Sequence, residues 1–205
     1  MNLANKLTIF RIILVPVMVM VTLVEKFYDT SFFGISLMWI IIEVIFIIAS
    51  LTDKLDGYIA RSRNQITTFG KFLDPIADKI LVLAAMMLLV QYQKLPAWIP
   101  IIVLFREFIV SGYRLVAVGK NGDVIAASIW GKIKTVTQMI AVSIAIIDIH
   151  TYGKFIFEKL DGFSLLLNIV GTLIMTVSVI ATIFSGWEYI KNGKKLFFDD
   201  GGKND

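Results

Sequence analysis

No cysteine occurs in the 205 residues, which excludes disulfides, thiolate nucleophiles and cysteine-held metals and leaves the redox compartment open. A single histidine, His150, gives zinc chemistry too few of its usual ligands. Charge is scarce as well. Only 18% of residues are charged, and 20 Lys+Arg against 16 Asp+Glu leave a formal +4, too small and too dispersed for a nucleic-acid surface. What is abundant is apolar side chain: 57% hydrophobic residues and a mean hydropathy of +0.79 exceed what one water-soluble core of this size needs. The partner these numbers point to is a membrane, not nucleic acid.

Apolar stretches lie near 12–24, 33–52, 80–90, 96–118, 124–149 and 163–187, each bounded by polar or turn residues. They predict an all-α integral membrane protein with six transmembrane helices; at ~20 residues per span, no separate soluble domain fits. The expected organisation is one six-helix catalytic domain over 1–190 and a polar tail over 191–205. The first stretch follows Lys6 and Arg11 but lacks a small-residue cleavage site, so it is read as a retained anchor. With a cytoplasmic N-terminus, the outer loops hold Lys26, Lys94, Lys154 and Lys159, and the other 16 basic residues fall inside. Both termini are therefore expected in the cytoplasm, and the tail, without apolar period, is expected to be mobile.

The acids carry the chemistry, because an ionised group inside an apolar span costs about 2.5 kcal/mol or more. Asp53 and Asp56, spaced i, i+3, share a face near the cytoplasmic end of the second predicted helix. Asp74 and Asp78, spaced i, i+4, share a face at the start of the third. The short connection Arg61 to Phe69 makes these helices antiparallel neighbours and brings four carboxylates to one depth. Such a group needs a cation. All-oxygen donors favour Mg2+ or Mn2+, with Ca2+ as an inhibitory substitute, and two ions would suit phosphoryl chemistry. The structural alternative is that Asp74 opens a helix before Pro75, and that Asp53 and Asp56 pair with Lys54, Lys79 or Arg61.

From Asp53 to Asp78 the sequence reads DKLDGYIAR, then SRNQITTF, then GKFLDPIAD. This D-x-x-D-G-x-x-A-R, eight residues, G-x-x-x-D-x-x-x-D resembles the signature of the CDP-alcohol phosphotransferase family at every fixed position. The resemblance implies a membrane enzyme that transfers a phosphatidyl-type group from a CDP-linked donor to an alcohol and releases CMP. It also implies that Asp53, Asp56 and Asp74 are metal ligands, and that Asp78 is the general base and touches the second metal. Gly57 and Ala60, each i+4 from an acid, keep one helix face small where a nucleotide would approach. Gly70 removes a side chain on the opposite wall, and Arg61 presents a planar fork to pyrophosphate. Close helix packing is the alternative for the three small residues, and a membrane-surface anchor for Arg61. Asn5 is grouped with the donor contacts, with a helix cap as its alternative.

Basic residues suggest the acceptor. Arg106 sits inside the fourth stretch, Arg114 two turns further on, and Lys132 and Lys134 inside the fifth. A positive pocket beside a metal-bound donor suits an acceptor that is itself a phosphate ester. The alternatives are that Arg106 pairs with Glu107, and that the lysines, i, i+2 and pointing apart, snorkel to headgroups. REFIVSGYRLVA from Arg106, VIAASIWGKIKT from Val124 and the opening NKLTIFRIILVP resemble the phosphatidylglycerophosphate synthase branch of the family. The implied reaction joins sn-glycerol 3-phosphate to the phosphatidyl group of CDP-diacylglycerol, in phospholipid biosynthesis. Thr8, Arg11, Arg106, Arg114, Lys132 and Lys134 are then candidates around the glycerol phosphate or the diphosphate. A homodimer is implied by the same resemblance, and the placement of Lys and Arg puts the expected active site near the cytoplasmic face of what is expected to be a bacterial cell membrane.

Leu160-Asp161-Gly162 echoes Leu55-Asp56-Gly57 but reads as an outer turn or cap, and His150 as an outer-loop residue. Glu43 is expected to pair across helices. Trp39, Trp98 and Trp187 read as interfacial anchors. Two other functions stay open: a related transferase using inositol phosphate or phosphatidylglycerol, and a cation transporter, although the outer helix halves carry few polar groups for a through path.

Overall fold

The computed structural model describes residues 3–32, 34–62, 68–119 and 129–198; side chains at 3–4, 53–62, 68–75, 78, 114–119 and 192–198 lie outside that description. Its elements follow in order: α1 (Leu3–Thr22), α2 (Glu25–Asp29), β1 (Ser31–Phe32), β2 (Ile35–Ser36), α3 (Leu37–Ser62), α4 (Thr68–Gln91), α5 (Trp98–Gly119), α6 (Ile129–Ile147), a short 3-10 turn (Lys154–Ile156) and α7 (Gly162–Phe198). Among the described residues, the exception to an all-helical fold is the antiparallel pair β1–β2, in which Ser31 faces Ser36 and Phe32 faces Ile35. Gly34, at φ +80°, supplies the left-handed turn that joins them. The helix expected from about residue 33 therefore begins at Leu37.

Polarity is inverted relative to a soluble protein. Outward-facing positions are apolar: Ile101, Phe105 and Phe108, at i, i+4, i+7 on α5, are 59%, 68% and 69% exposed. Polar groups such as Thr8, Arg11, Ser178, Thr182 and Ser185 are buried. Water would penalise that apolar face; lipid tails do not. Three helical segments among the described residues are long and apolar enough to cross a bilayer: Asn5–Thr22, Ile129–Ile147 and Gly162–Lys191, with mean hydropathies of 1.6, 1.2 and 2.2. The apolar parts of α3 and α4, Leu37–Thr52 and Lys79–Gln91, are shorter. These segments make the chain a membrane protein. At the far end, α7 continues through Phe198, so the first part of the predicted tail is helical.

The chain divides into two units, Met1–Pro96 with Val142–Gly171, and Ala97–Ala141 with Thr172–Asp205. In the first, α1 packs against both α3 and α4, and α3 touches α4. Glu43 on α3 is bonded to the Ser143 hydroxyl of α6, the cross-helix pairing its position suggested. A hypothetical Cβ on Gly171 would come within 2.8 Å of the Ile144 side chain, so α6 and α7 approach here as only glycine allows.

A polar plug closes this unit. Lys94 donates through Nζ to the Ile146 carbonyl at 2.6 Å and stands 4.0 Å from the centre of the Trp39 ring. Asp148 accepts from the His150 N–H and from Asn168 Nδ2, and Asn168 also binds the Thr151 carbonyl and the Phe155 N–H. Trp39 is thus not the interfacial anchor expected; at 6% exposure it is buried beneath the Lys94 ammonium and edge-on to Tyr92. Trp98 and Trp187 are exposed.

Burial pushes the Lys94 ammonium down to about 7, against a weaker upward pull from Asp148. In the unfolded chain the same amine keeps its proton to about pH 10.4. The unfolded state therefore binds more protons between about 7 and that value, and stability should rise with pH across the window, the full cost being felt below it. The thermal midpoint of the detergent-solubilised protein, followed from pH 7 to 9.5, should climb relative to that of a Lys94→Met variant. Parallel curves for the two proteins would contradict this account.

Candidate active site

The stretch containing Asp53, Asp56, Gly57, Ala60 and Arg61 is helical, as the last part of α3, and Gly70, Asp74 and Asp78 lie on α4. The side chains of all eight are outside the described residues, as are positions 63–67 of the connection. On unbroken helices, the acids of each pair stand three or four residues apart, about one turn. Among the described residues no three His, Asp or Glu side chains gather as a metal site.

The first unit adds a buried polar stripe on α1. Asn5, Thr8 and Arg11 recur every three residues and are 7%, 1% and 0% exposed. Their spacing turns them inward on the helix that packs on α3 and α4. Arg11 Nε donates to the Ala49 carbonyl of α3 at 3.3 Å, one turn before Asp53. A guanidinium buried in a membrane helix is costly unless its charge is used or paired. Here it is fixed to the helix that carries the first acid pair.

The second unit holds a compact basic cluster. Glu107 Oε1 accepts from Arg106 Nη1 at 2.8 Å and from Lys134 Nζ at 2.7 Å. Arg106 Nη2 donates to Ser185 Oγ at 2.5 Å, and the guanidinium lies 5.9 Å from the centre of the Tyr189 ring, within cation–π reach. Tyr189 in turn packs edge-on against Tyr113, beside Val110. Small residues frame the arginine. A Cβ on Gly131 would meet Arg106 Nη2 and Ser185 Oγ at 3.5 and 3.6 Å, and one on Gly186 would touch Arg106 Cγ at 3.4 Å. Arg106 Nε is buried without a hydrogen-bond partner among the described residues, an unused donor in a dry setting.

The two lysines of α6 part as their i, i+2 spacing requires: Lys134 is buried and Lys132 exposed. The Arg114 side chain is outside the described residues. Ser185 and Tyr189, both from α7, were not singled out from sequence. A signal was present, since Ser178, Thr182, Ser185 and Tyr189 recur at helical spacing, all four buried in an otherwise apolar helix.

Residues 1–184 match the CDP-alcohol phosphatidyltransferase family. A Bacillus subtilis (strain 168) protein named CDP-diacylglycerol--glycerol-3-phosphate 3-phosphatidyltransferase is 42% identical over 199 residues, covering 95% of this chain and 97% of its own. A Haemophilus influenzae protein of the same name is 36% identical over 207 residues, covering 97% of each. A Mycobacterium tuberculosis protein named probable phosphatidylglycerophosphate synthase is 32% identical, over 92% of this chain and 80% of its own.

Proposed function

Because the chain belongs to the CDP-alcohol phosphatidyltransferase family and is a CDP-diacylglycerol-dependent phosphatidyltransferase, we propose that its acceptor is sn-glycerol 3-phosphate and its products phosphatidylglycerophosphate and CMP. The observation that carries the acceptor is the pair of cations held on Glu107, with Lys134 buried and Arg106 half-buried. Holding two cations side by side out of most solvent is costly, and a neutral alcohol gives no return for it; a phosphate ester does. The unused Nε of Arg106 adds a donor suited to the same ligand.

Asp53, Asp56, Asp74 and Asp78 would hold Mg2+ or Mn2+, as the two-ion set typical of phosphoryl transfer, and the donor set fits: four carboxylates on two touching helices, with no thiolate or imidazole among them. Bound metal would supply charge neutralisation at the diphosphate. Asp78 takes the proton of the acceptor's 1-hydroxyl. That oxygen bonds to the β-phosphorus of CDP-diacylglycerol, the bond from this phosphorus to the bridging oxygen breaks, and CMP leaves with that oxygen. Arg61 faces the diphosphate. Gly57, Ala60 and Gly70 leave room for the nucleotide, Asn5 is assigned to the donor, and Thr8, Arg11, Arg114 and Lys132 are assigned to the glycerol phosphate or the diphosphate. In the cell the reading is of a multi-pass enzyme working at the cytoplasmic face, as a homodimer.

The test is CMP release from CDP-diacylglycerol in mixed micelles. Glycerol 3-phosphate is expected to drive it, with inositol phosphate and phosphatidylglycerol at background. Release driven equally by either alternative, or by none of the three, would overturn the assignment.

A further inference from the structure

Glu107 belongs to none of the roles above, yet it is the centre of the basic cluster. It is 8% exposed, and a single oxygen, Oε1, takes the hydrogen bonds of both Arg106 and Lys134. Laid end to end, those bonds of 2.8 and 2.7 Å put the two cationic nitrogens no more than 5.5 Å apart. Like charges at that separation repel in a low-dielectric setting and would move apart without an anion between them. Arg106 has other anchors in Ser185 and Tyr189. Lys134 reaches the cluster from α6, 27 residues further along the chain, and meets it through the Glu107 carboxylate.

We propose that Glu107 is a positioning residue: its carboxylate sets the Arg106 and Lys134 nitrogens at the spacing that two oxygens of one phosphate group can bridge. Those oxygens, each accepting a charge-assisted bond of about 2.8 Å, span two nitrogens so placed. The three side chains together carry one net positive charge, so the seat still attracts a phosphate dianion. The inference rests on the glycerol 3-phosphate reading.

The test is steady-state kinetics of the full-length protein, with each substrate varied in turn. Glu107→Gln is expected to raise KM for glycerol 3-phosphate about tenfold, while KM for CDP-diacylglycerol stays within about twofold. In a Lys134→Gln background the same change should lose most of its effect, because the carboxylate has one cation fewer to place. A lowered KM for glycerol 3-phosphate would mean that Glu107 competes with the substrate, and equal rises for both substrates a general structural role; either overturns the proposal. So would full additivity with Lys134→Gln. If the glutamine variant does not accumulate, Glu107→Asp carries the same readout. An unsubstituted protein that releases no CMP with glycerol 3-phosphate overturns the acceptor reading itself, and this separates the two failures.

Discussion

An Asp78→Asn protein should reach the membrane, purify as the unsubstituted protein does and lose CMP release by about a thousandfold. Asparagine keeps the shape of the side chain and removes its basicity, so the acceptor hydroxyl has no group to take its proton. The other three carboxylates remain, and donor binding should persist. The measurements are turnover with saturating glycerol 3-phosphate, equilibrium binding of CDP-diacylglycerol and the thermal midpoint in detergent. Loss of turnover with the other two preserved is the expected pattern. Retention of more than about a tenth of the activity would exclude Asp78 as the base. A collapse of yield and midpoint, with residual protein fully active, would make the residue structural.

Removal of divalent metal should have an effect of similar size. Dialysis against chelator is expected to bring CMP release to background, and Mg2+ or Mn2+ to restore it. Ca2+, larger and content with looser coordination, should bind without supporting turnover. The reason is electrostatic. Four carboxylates on neighbouring helices cannot all stay ionised and also accept a diphosphate unless cations stand between them. An Asp53→Asn variant should need more Mg2+ for half-maximal rate. Undiminished activity in excess chelator would exclude the metal and the ligand roles of all four acids together.

The parts of this protein that sequence makes legible are those whose partners are close in the chain. Asp53 and Asp56 are three residues apart and Asp74 and Asp78 four, so helical periodicity alone groups each pair. The buried stripe of Asn5, Thr8 and Arg11 follows from the same arithmetic. Contacts made across the fold are different. Arg106 and Ser185 are separated by 79 residues, and no local spacing announces that α7 will bring a hydroxyl to that guanidinium. Trp39 illustrates the converse error. Its place near a helix end suggested an anchor at the membrane interface, but Lys94, 55 positions later, covers its ring. The start of α3 shifted for a local reason that hydropathy misses: Gly34 turns the chain into a hairpin inside what reads as an apolar run.

The adjacency of Arg106 and Glu107 has a consequence for how the protein is made. A chain is delivered to the bilayer from its N-terminus, so in the six-span reading α5 arrives before α6 brings Lys134 and well before α7 brings Ser185. For that interval α5 carries an arginine near its middle with no later helix to shield it. The neighbouring carboxylate, 2.8 Å from Nη1, is already present. A self-neutralised pair costs far less to insert than a lone cation. In that reading, the glutamate that later shares itself with Lys134 would serve first as the counterion α5 carries with it into the lipid.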